Sequence, residues 1–348
     1  MGIQKTNLDN KKIKNIMQKQ YNINALKITR IDRGTSNIFK VESNMGEYIL
    51  KEFVSKRKKE TILKEINIID FLQNKGLNVP TYVKTVNSDF YTEHEGRIII
   101  VQRYIQGYII EDNTGEYNDV IKCANVLGKL TKVLMDFPEL SEENIIEEQF
   151  SKNRIYLGIE KMEQLKNELR EDNEYKEQIK KDISYKIKIA REFKDKFDFE
   201  IIKKLTMLNS HGDFCTQQLI YHDKEEPTII DFEKAKRLPI VWEIMRSYSY
   251  VDKDVKEGKI NIDTLLDYFK EFNKYVSLNK YDLKYASYIY LLQLIGSTYG
   301  YKEYNNDYGQ KELLNFAFFR TKLCRNLYEN AGTISRKLSE NIKSRDIL

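Results

Sequence analysis

The sequence contains few of the residues that build disulfide frameworks or histidine metal sites. Its three cysteines, Cys123, Cys215 and Cys324, are odd in number and far apart in the chain. That spacing matches neither a disulfide framework nor a zinc knuckle, so we expect buried or incidental thiols. Only three histidines occur in the whole chain. A histidine-rich metal site is therefore not expected either.

Long apolar segments are also missing. No apolar run reaches the roughly 18 residues that a membrane-spanning helix needs, so the sequence predicts no membrane span. The segment Met1 to Gln20 is polar, rich in Lys and Asn, and lacks the apolar core of a signal peptide. We therefore expect a cytoplasmic protein without a membrane partner.

The charge is balanced rather than strongly basic. The chain has 58 basic and 53 acidic residues, which gives a formal net charge of +5. The basic run Arg57-Lys58-Lys59 is short and is followed at once by Glu60. No long basic block with interleaved aromatic residues is present, so nucleic acid is not expected as a partner.

The chain is long enough for two lobes with a sizeable core, since it has 348 residues, of which 41% are apolar. In its first part, apolar spacing predicts helices over Asn7 to Tyr21 and Lys56 to Lys75. The predicted strands are Ala25 to Arg33, Ile38 to Ser43, Tyr48 to Val54, Thr81 to Val86 and Arg97 to Tyr104. This part therefore reads as a helix followed by an antiparallel meander.

From about residue 116 the chain is mainly helical. Predicted helices are Val120 to Phe137, Ile262 to Leu278, Leu283 to Thr298 and about Gln310 to Asn330. The charged stretch Asn153 to Phe199 predicts one long helix or a helical hairpin. Together the patterns predict an α+β fold with two lobes. The smaller covers residues 1–104, and the larger, mainly helical lobe covers residues 105–348 with an insert at about 153–199.

The stretch His211 to Ala235 carries the clearest functional pattern. Two short apolar runs, Leu219 to Tyr221 and Thr228 to Ile230, flank a polar turn and predict a β-hairpin. Such a hairpin would bring Asp213 and Asp231 to one end of the strand pair. Two carboxylates held together suit a hard metal ion or acid–base chemistry. Aspartate is also common in turns for local reasons, so spacing alone does not establish a role.

In the order of its predicted strands, helices and hairpin, the chain resembles the aminoglycoside phosphotransferase and choline kinase group of protein-kinase-like enzymes. The resemblance covers most of the chain and is strongest at His-Gly-Asp (211–213) and Ile-Asp-Phe-Glu (230–233). It implies a two-lobe, protein-kinase-like fold. The implied activity is Mg²⁺-assisted transfer of the γ-phosphoryl group of ATP, with GTP as an alternative donor, to a hydroxyl of a small polar molecule. That acceptor could be an aminoglycoside, a choline-like compound or a similar alcohol, which the sequence does not distinguish.

The resemblance also implies roles for residues of this stretch. Asp213 matches the catalytic aspartate, which orients the acceptor hydroxyl and accepts its proton, and Asp231 matches a metal-binding aspartate. The family usually has asparagine as the other metal ligand, five residues after the catalytic aspartate, where this chain has Gln218. The longer glutamine arm could still reach Mg²⁺, or it could mean weak or absent catalysis. His211 is expected to brace the loop, and the role of Glu233 stays open.

In the smaller lobe, the resemblance implies a phosphate-binding pair. Lys51 resembles the lysine that binds the α- and β-phosphates, and Glu65 resembles the helix glutamate that pairs with it. Glu60 is the competing candidate for that pairing. The turn Arg33 to Asn37 matches the nucleotide-covering turn, where backbone N–H groups and Ser36 would cover phosphates.

Two further segments match features of the family. Arg103, Tyr104 and Ile105 resemble the hinge between the lobes, whose backbone groups would hydrogen-bond adenine. Related enzymes often have an aspartate near the position of Glu243, which braces the catalytic loop from a helix start. Glu243 and Arg246 are therefore expected to be structural rather than catalytic.

The acceptor pocket is expected from residues of about 153–199 and 262–330. A polycationic aminoglycoside would require many acids there. Four glutamates are candidates: Glu142, Glu143, Glu147 and Glu148. A solvated helix start would contain the same residues, so they do not identify the acceptor. The sequence leaves monomer and dimer equally open.

Two alternatives to a small-molecule kinase remain. One is a kinase-like binding or structural protein without turnover, similar to spore-coat kinase-like proteins, and Gln218 favours it. The other is a protein kinase. The absence of a recognisable glycine-rich loop and of an Ala-Pro-Glu segment after Asp231 argues against it.

Overall fold

The computed structural model describes residues 6–31, 36–54, 57–140, 145–223 and 225–345 of the chain. The chain divides into two units, Met1–Ile109 with Gln218–Lys234 and Ile110–Gln217 with Ala235–Leu348. The segment Gln218–Lys234 thus belongs to the first unit, although it lies far along the sequence. This division follows contacts within the chain, and the lobes predicted as residues 1–104 and 105–348 remain a prediction.

A five-stranded antiparallel sheet forms the centre of the first unit. Its strands are β1 Ala25–Ile31, β2 Asn37–Ser43, β3 Gly46–Glu52, β4 Thr92–His94 and β5 Arg97–Arg103, in the order β1-β2-β3-β5-β4. In β3, Tyr48, Leu50 and Glu52 are buried and the residues between them are half-buried. Side chains alternate between the two faces of a strand. Lys51 therefore lies on the face opposite to the core residue Leu50.

Two helices complete this unit, α1 Asn10–Tyr21 and α2 Lys59–Asn74. The Asp9 side chain caps α1 by accepting a 2.7 Å hydrogen bond from the Lys12 N–H. Apolar residues of α1 join those of the sheet in one buried cluster. On α2, Glu65 is buried together with isoleucine and leucine side chains. A carboxylate buried in this way requires charged or hydrogen-bonding partners.

Four further strands follow, β6 Met207–Ser210, β7 Leu219–Ile220, β8 Thr228–Ile229 and β9 Lys236–Pro239. β7 pairs antiparallel with β8 and forms the predicted hairpin, which belongs to the first unit. Tyr108 and Tyr221 exchange two backbone hydrogen bonds of 3.1 and 2.8 Å, which join the chain after β5 to the hairpin. A Cβ atom at Gly107 would lie 2.4 Å from the Tyr221 carbonyl oxygen, so this close approach requires glycine.

The second unit is mainly helical. Its helices are α3 Tyr117–Leu134, α4 Ile145–Phe150, α5 Lys152–Asn167, α6 Lys176–Lys196, α7 Ile240–Val251, α8 Ile262–Asn273, α9 Lys280–Ile295, α10 Tyr301–Asn306 and α11 Lys311–Asn341. β6 and β9 pair antiparallel and lead into α7. Every residue of α7 except Arg246 is buried. Polar groups on α7 must therefore find partners inside the protein.

The predicted α+β class is confirmed, because an antiparallel sheet is followed by a mainly helical remainder. Two element predictions need correction. Thr81 to Val86 is not a strand, because a turn closed by the Ser88 N–H and the Thr85 carbonyl ends the extended piece after one bridge at Tyr82. α11 runs past residue 330 to Asn341, since apolar side chains continue at helical spacing.

The charged stretch at 153–199 forms the helical hairpin of α5 and α6 rather than one long helix. In the connection, the Asn173 side chain accepts a hydrogen bond of 2.9 Å from the Tyr175 N–H. Among the described residues, no helix combines the length and apolar character needed to cross a membrane.

Candidate active site

In the first unit, a lysine of the sheet meets a buried glutamate of α2. Lys51 Nζ lies 3.6 Å from Glu65 Oε1, and the two side chains are 19% and 3% exposed. Glu60, the competing candidate, is exposed in the first turn of α2. The structure therefore brings Lys51 and Glu65 together. A lysine held by a buried carboxylate presents a fixed positive charge on the face of β3 opposite to the core.

A second cation shares the same glutamate. Arg57 Nη2 lies 2.9 Å from Glu65 Oε2 and 3.2 Å from Glu233 Oε2. The Arg57 side chain is 7% exposed and its guanidinium lies 4.5 Å from the centre of the Phe53 ring. Arg57 thus connects α2 to the segment that follows β8.

Asp231 stands directly after β8 in an unusual backbone conformation, with a φ angle of 66°. Residues other than glycine rarely occupy this left-handed region, and those that do cluster at functional sites. The next residue, Phe232, is fully buried and anchors the turn. Burial raises the pKa of the Tyr82 hydroxyl well above its usual value, and the charges of Glu65 and Asp231 raise it further. Glu233, two residues after Asp231, contacts Arg57 at 3.2 Å, so Asp231 lies close to the cluster around Glu65.

Gln218 and Asp231 leave the same end of the hairpin, because the Gln218 carbonyl accepts a 2.9 Å hydrogen bond from the Ile230 N–H. Their side chains offer an amide oxygen and a carboxylate. Among the described residues, no group of three or more His, Cys, Asp or Glu forms a complete metal cage. Mg²⁺ commonly binds one or two protein carboxylates together with phosphate oxygens and water. This donor set fits such a shared ion.

The predicted hinge follows β5. The Arg103 N–H donates to the Thr81 carbonyl at 3.0 Å, and the Tyr104 N–H donates to the Glu47 carbonyl at 2.9 Å. In the described part of the chain, the Ile105 N–H bonds no backbone carbonyl. Of the three predicted hinge residues, Ile105 therefore keeps a backbone donor that a ligand could use.

Ser36 lies at the start of β2 and is 2% exposed. Beside it, the Asn37 amide donates to Glu52 Oε2 at 2.8 Å, which fixes the beginning of the strand in the core. The rest of the predicted nucleotide-covering turn, Arg33 to Thr35, lies outside the described residues. The phosphate contact of Ser36 stays a prediction.

In the second unit, one buried carboxylate organises the loop that carries Asp213. Glu243 of α7 accepts hydrogen bonds from the N–H groups of His211, Gly212 and Phe214 at 3.0, 2.6 and 3.3 Å. Burial raises the pKa of the Glu243 carboxyl, and the neighbouring His211 and the N–H donors oppose that rise. Three N–H groups converging on one side chain hold the loop in a single backbone conformation. Glu243 is thus a brace, as its place in the sequence predicts.

Arg246, one turn further along α7, holds Asp213 itself. Its Nη1 donates to the carbonyl oxygens of Asp213 and Phe214 at 3.0 and 2.9 Å, and its Nη2 pairs with the Asp213 carboxylate. The Asp213 side chain is 17% exposed, so it still reaches the surface. The guanidinium also lies 4.9 Å from the centre of the Tyr250 ring. Asp213 is therefore a carboxylate fixed in direction and open on one side.

A cleft of about 970 Å³ lies in the second unit, with Asp112 in its wall. Burial raises the pKa of Asp112 to about 6, although Arg246 lowers it, and the charges of Glu111 and Asp213 add to the rise. Asp112 thus lies within electrostatic reach of Asp213. The rest of the wall comes mainly from α6, α11 and the turn before α8.

The structure reveals two residues whose importance the sequence patterns do not show, Arg57 and Asp112. Arg57 stands in a short basic run, which usually marks a solvated surface. Asp112 follows the hinge in an irregular segment without a motif. Glu233, just after Asp231 and Phe232, is the one sequence signal that could have suggested a buried cation such as Arg57 nearby.

Comparison with known proteins identifies similar families and folds. A model of the phosphotransferase enzyme family (APH) matches residues 27–262, which is more than half of the chain. No curated protein matches the chain. An aminoglycoside phosphotransferase from Alicyclobacillus acidocaldarius has a similar fold, with a TM-score of 0.67 at 16% identity over 96% of this chain and 98% of that one.

Two further solved structures show the same fold. A spectinomycin phosphotransferase in complex with ADP and spectinomycin has a TM-score of 0.63 at 14% identity, over 95% of this chain and 100% of that one. Choline kinase from Cryptosporidium parvum has a TM-score of 0.53 at 14% identity, over 95% and 97% of the two chains. The match to the expected group of kinase-like enzymes is confirmed.

Proposed function

The chain belongs to the phosphotransferase enzyme family, and on that premise we propose that it transfers the γ-phosphoryl group of ATP to a hydroxyl of a small polar molecule. The observation that carries this proposal is the loop at Asp213. Glu243 and Arg246 fix this loop from a buried helix through six hydrogen bonds. Catalysis of phosphoryl transfer consists largely of positioning and electrostatic stabilisation, and orienting the nucleophile is one part of it.

The first unit would bind the nucleotide. Lys51, held by Glu65, supplies a positive charge for the phosphates, and the Ile105 N–H supplies a donor for the purine base. Backbone donors alone do not separate adenine from guanine, so GTP remains an alternative. The solved spectinomycin phosphotransferase contains ADP, which supports a nucleotide as the ligand of this fold.

Asp231 and Gln218 would hold Mg²⁺ together with the phosphates. The ion, when bound, neutralises phosphate charge and lowers the barrier to transfer. The left-handed backbone of Asp231 and the buried anchor at Phe232 keep the carboxylate in one place. Preorganisation of this kind reduces the cost of assembling the metal–nucleotide complex.

Asp213 would orient the acceptor hydroxyl and accept its proton during transfer. Its ion pair with Arg246 favours the charged form, which is the form that can accept a proton. Arg246 also holds the backbone carbonyl of Asp213, so the carboxylate cannot swing away from the hydroxyl.

The acceptor would bind in the cleft next to Asp112. Five cations line this cleft, Lys181, Lys256, Lys259, Lys322 and Arg325, against four acids, Asp112, Asp182, Glu257 and Glu329. Such a wall gives no net attraction for a polycation, so we propose a neutral or anionic hydroxy compound rather than an aminoglycoside.

The four glutamates named above as candidates for binding an aminoglycoside do not change the proposal of a neutral or anionic acceptor. Glu147 and Glu148 are exposed in the first turn of α4 and do not line the cleft. Glu142 and Glu143 lie outside the described residues.

The second candidate is a kinase-like protein that binds nucleotide without turnover. Gln218 favours it, because the family pattern has asparagine at this position. A longer side chain loses more conformational freedom on ion binding, which weakens the site. The two candidates differ in turnover and not in nucleotide binding.

ADP release in the presence of a panel of neutral, anionic and cationic hydroxy compounds tests the proposal. We expect turnover with at least one neutral or anionic compound, and a loss of about 10²- to 10⁴-fold in Asp213→Asn. Nucleotide binding by Asp213→Asn should persist. Asp263→Asn, at an exposed helix start, is the matched control and should keep full activity. Nucleotide binding without ADP release for any acceptor would support the second candidate instead.

A further inference from the structure

Arg57 is an unusual side chain for a short basic run, because it is buried instead of solvated. Its side chain is 7% exposed, and its Nη2 lies within 3.2 Å of two carboxylates, those of Glu65 and Glu233. The two carboxylates come from different parts of the chain, α2 and the turn after Asp231. One guanidinium nitrogen therefore bridges two segments that both carry candidate site residues.

Folding alone gives no clear reason for this arrangement. The Nε and Nη1 atoms of Arg57 are buried and have no hydrogen-bond partner in the described structure. Burying charged donors without partners is unfavourable, and an apolar side chain in a similar place is often at least as stabilising. An arginine here therefore requires an explanation beyond packing.

We propose that Arg57 is a positioning residue that ties the Lys51–Glu65 pair to the turn after Asp231, and so sets how strongly Mg²⁺ and ATP bind together. This inference rests on the proposed function. It assigns no direct contact between Arg57 and the reacting atoms.

The geometry of Glu65 explains how the link works. Oε1 of Glu65 faces Lys51 at 3.6 Å, and Oε2 faces Arg57 at 2.9 Å. One oxygen of the Glu65 carboxylate thus holds Lys51, the candidate phosphate ligand. The other holds Arg57, which contacts the turn after the hairpin. A movement of α2 that shifted Glu65 would disturb both contacts at once.

Glu233 completes the link on the other side. It lies in the 3₁₀ turn Phe232–Lys234, immediately after Asp231. Without Arg57, Glu233 would lose the ion pair at 3.2 Å, and with a 34% exposed side chain it would be freer to turn towards solvent. Asp231 holds a backbone φ of 66°, which surrounding contacts must maintain. Loss of the link should therefore loosen the candidate metal ligand.

The test measures how much free Mg²⁺ is needed for ATP to raise the thermal unfolding midpoint. In Arg57→Met we expect the half-effective Mg²⁺ concentration to rise about tenfold, as for partners that orient metal ligands. Glu233→Gln, which leaves Arg57 in place, should shift the requirement in the same direction. Arg57→Lys keeps the charge but not the planar fork, so it should fall between wild type and Arg57→Met.

Arg97→Met is the matched control. Arg97 also belongs to the first unit, is 12% exposed, and pairs with a buried glutamate, Glu52, at 3.0 Å. Its partner Glu52 lies on β3, whereas Arg57 also contacts Glu233 in the turn at 232–234. Its loss should lower stability without changing the Mg²⁺ requirement.

Three results would overturn the inference. An unchanged Mg²⁺ requirement in both Arg57→Met and Glu233→Gln would do so while leaving the proposed function intact. An equal rise of the half-effective Mg²⁺ concentration in Arg97→Met would show that the first unit loosens generally. The rise would then not depend on a specific link through Arg57. If wild type shows no Mg²⁺-dependent response to ATP, the proposed function fails first, and this inference fails with it.

Discussion

At the scale of single residues, Glu243 illustrates how one buried carboxylate can organise a loop. It is fully buried, and three residues of the loop at 211–214 donate backbone N–H groups to it. The N–H donors favour its charged form, although burial raises its pKa. Arg246 then fixes the direction of Asp213. Neither residue needs to touch a substrate to control the position of Asp213, the proposed proton acceptor.

Asp112 gives a prediction about pH. Burial raises its pKa to about 6, whereas the unfolded chain titrates near the ordinary aspartate value of about 4. Between these values the folded protein binds more protons than the unfolded one, so this group lowers stability as pH rises from about 4 to 6. Asp112→Asn removes the effect. Relative to wild type, the variant should therefore gain on the order of 1–3 kcal/mol on going from pH 4.5 to pH 7.5.

Urea unfolding of both proteins at the two pH values measures this difference. The comparison of variant with wild type cancels the titration of groups that do not interact with Asp112. A difference in unfolding free energy that stays constant with pH would show that Asp112 is not the group that titrates.

At the scale of secondary structure, the close contact of two glycines sets how α5 packs against the end of α9. A Cβ atom at Gly158 of α5 would lie 2.7 Å from the Gly296 Cα, which is shorter than packing allows. The neighbour is backbone and cannot rotate away. At Gly332 of α11, a Cβ atom would meet nothing within 4 Å. The same substitution should therefore have opposite effects in the two helices.

We predict that Gly158→Ala destabilises the protein by about 1–3 kcal/mol, since overpacking outweighs the gain in helix propensity. Gly332→Ala should stabilise it by about 0.5–1 kcal/mol, because alanine is the better helix former. Chemical denaturation of both variants checks the pair. Stabilisation by Gly158→Ala would contradict the packing described for α5 and α9.

Elements with local signals could be predicted from the sequence, and those that depend on distant partners could not. α1, β2 and the β7–β8 hairpin have their periodicity and turn residues within a short window. β6 and β9 are short and pair across almost 30 residues. The polar residues Glu243 and Arg246 of α7 are satisfied by a loop that lies 32 and 33 positions earlier in the chain, which no local pattern shows.

Residues of the candidate site also differ in whether local sequence patterns predict them. Asp213, Asp231, Lys51 and Glu65 stand in recognisable local patterns, and the resemblance places them in a known order. Arg57 depends on two carboxylates that lie 8 and 176 positions further along the chain. No short pattern predicts that Arg57 is buried, because burial follows from how α2 and the hairpin pack.

At the scale of the whole molecule, the chain order explains how the parts of the site are supplied. The segment Gln218–Lys234 returns to the first unit after more than a hundred residues in the second. It therefore adds the candidate metal ligands to the unit that carries Lys51 and Glu65. The second unit supplies Asp213 and the cleft lined by α6 and α11. Under the proposed function, the candidate nucleotide ligands therefore belong to the first unit, and Asp213 and the cleft belong to the second.

The central claim is that Asp231 belongs to a site for Mg²⁺ and a nucleotide. Thermal unfolding of wild type and Asp231→Asn, with ATP and Mg²⁺ each alone and together, tests it most directly. Asparagine has nearly the same size and tolerates the left-handed backbone of this position. The substitution thus removes the charge and leaves the fold.

A ligand that binds only the folded state must raise the unfolding midpoint. We predict that ATP raises the midpoint of wild type only when Mg²⁺ is present, and that Asp231→Asn loses this response while its midpoint without ligand stays close to that of wild type. If neither ligand shifts wild type, or if Asp231→Asn responds as wild type does, the claim is contradicted.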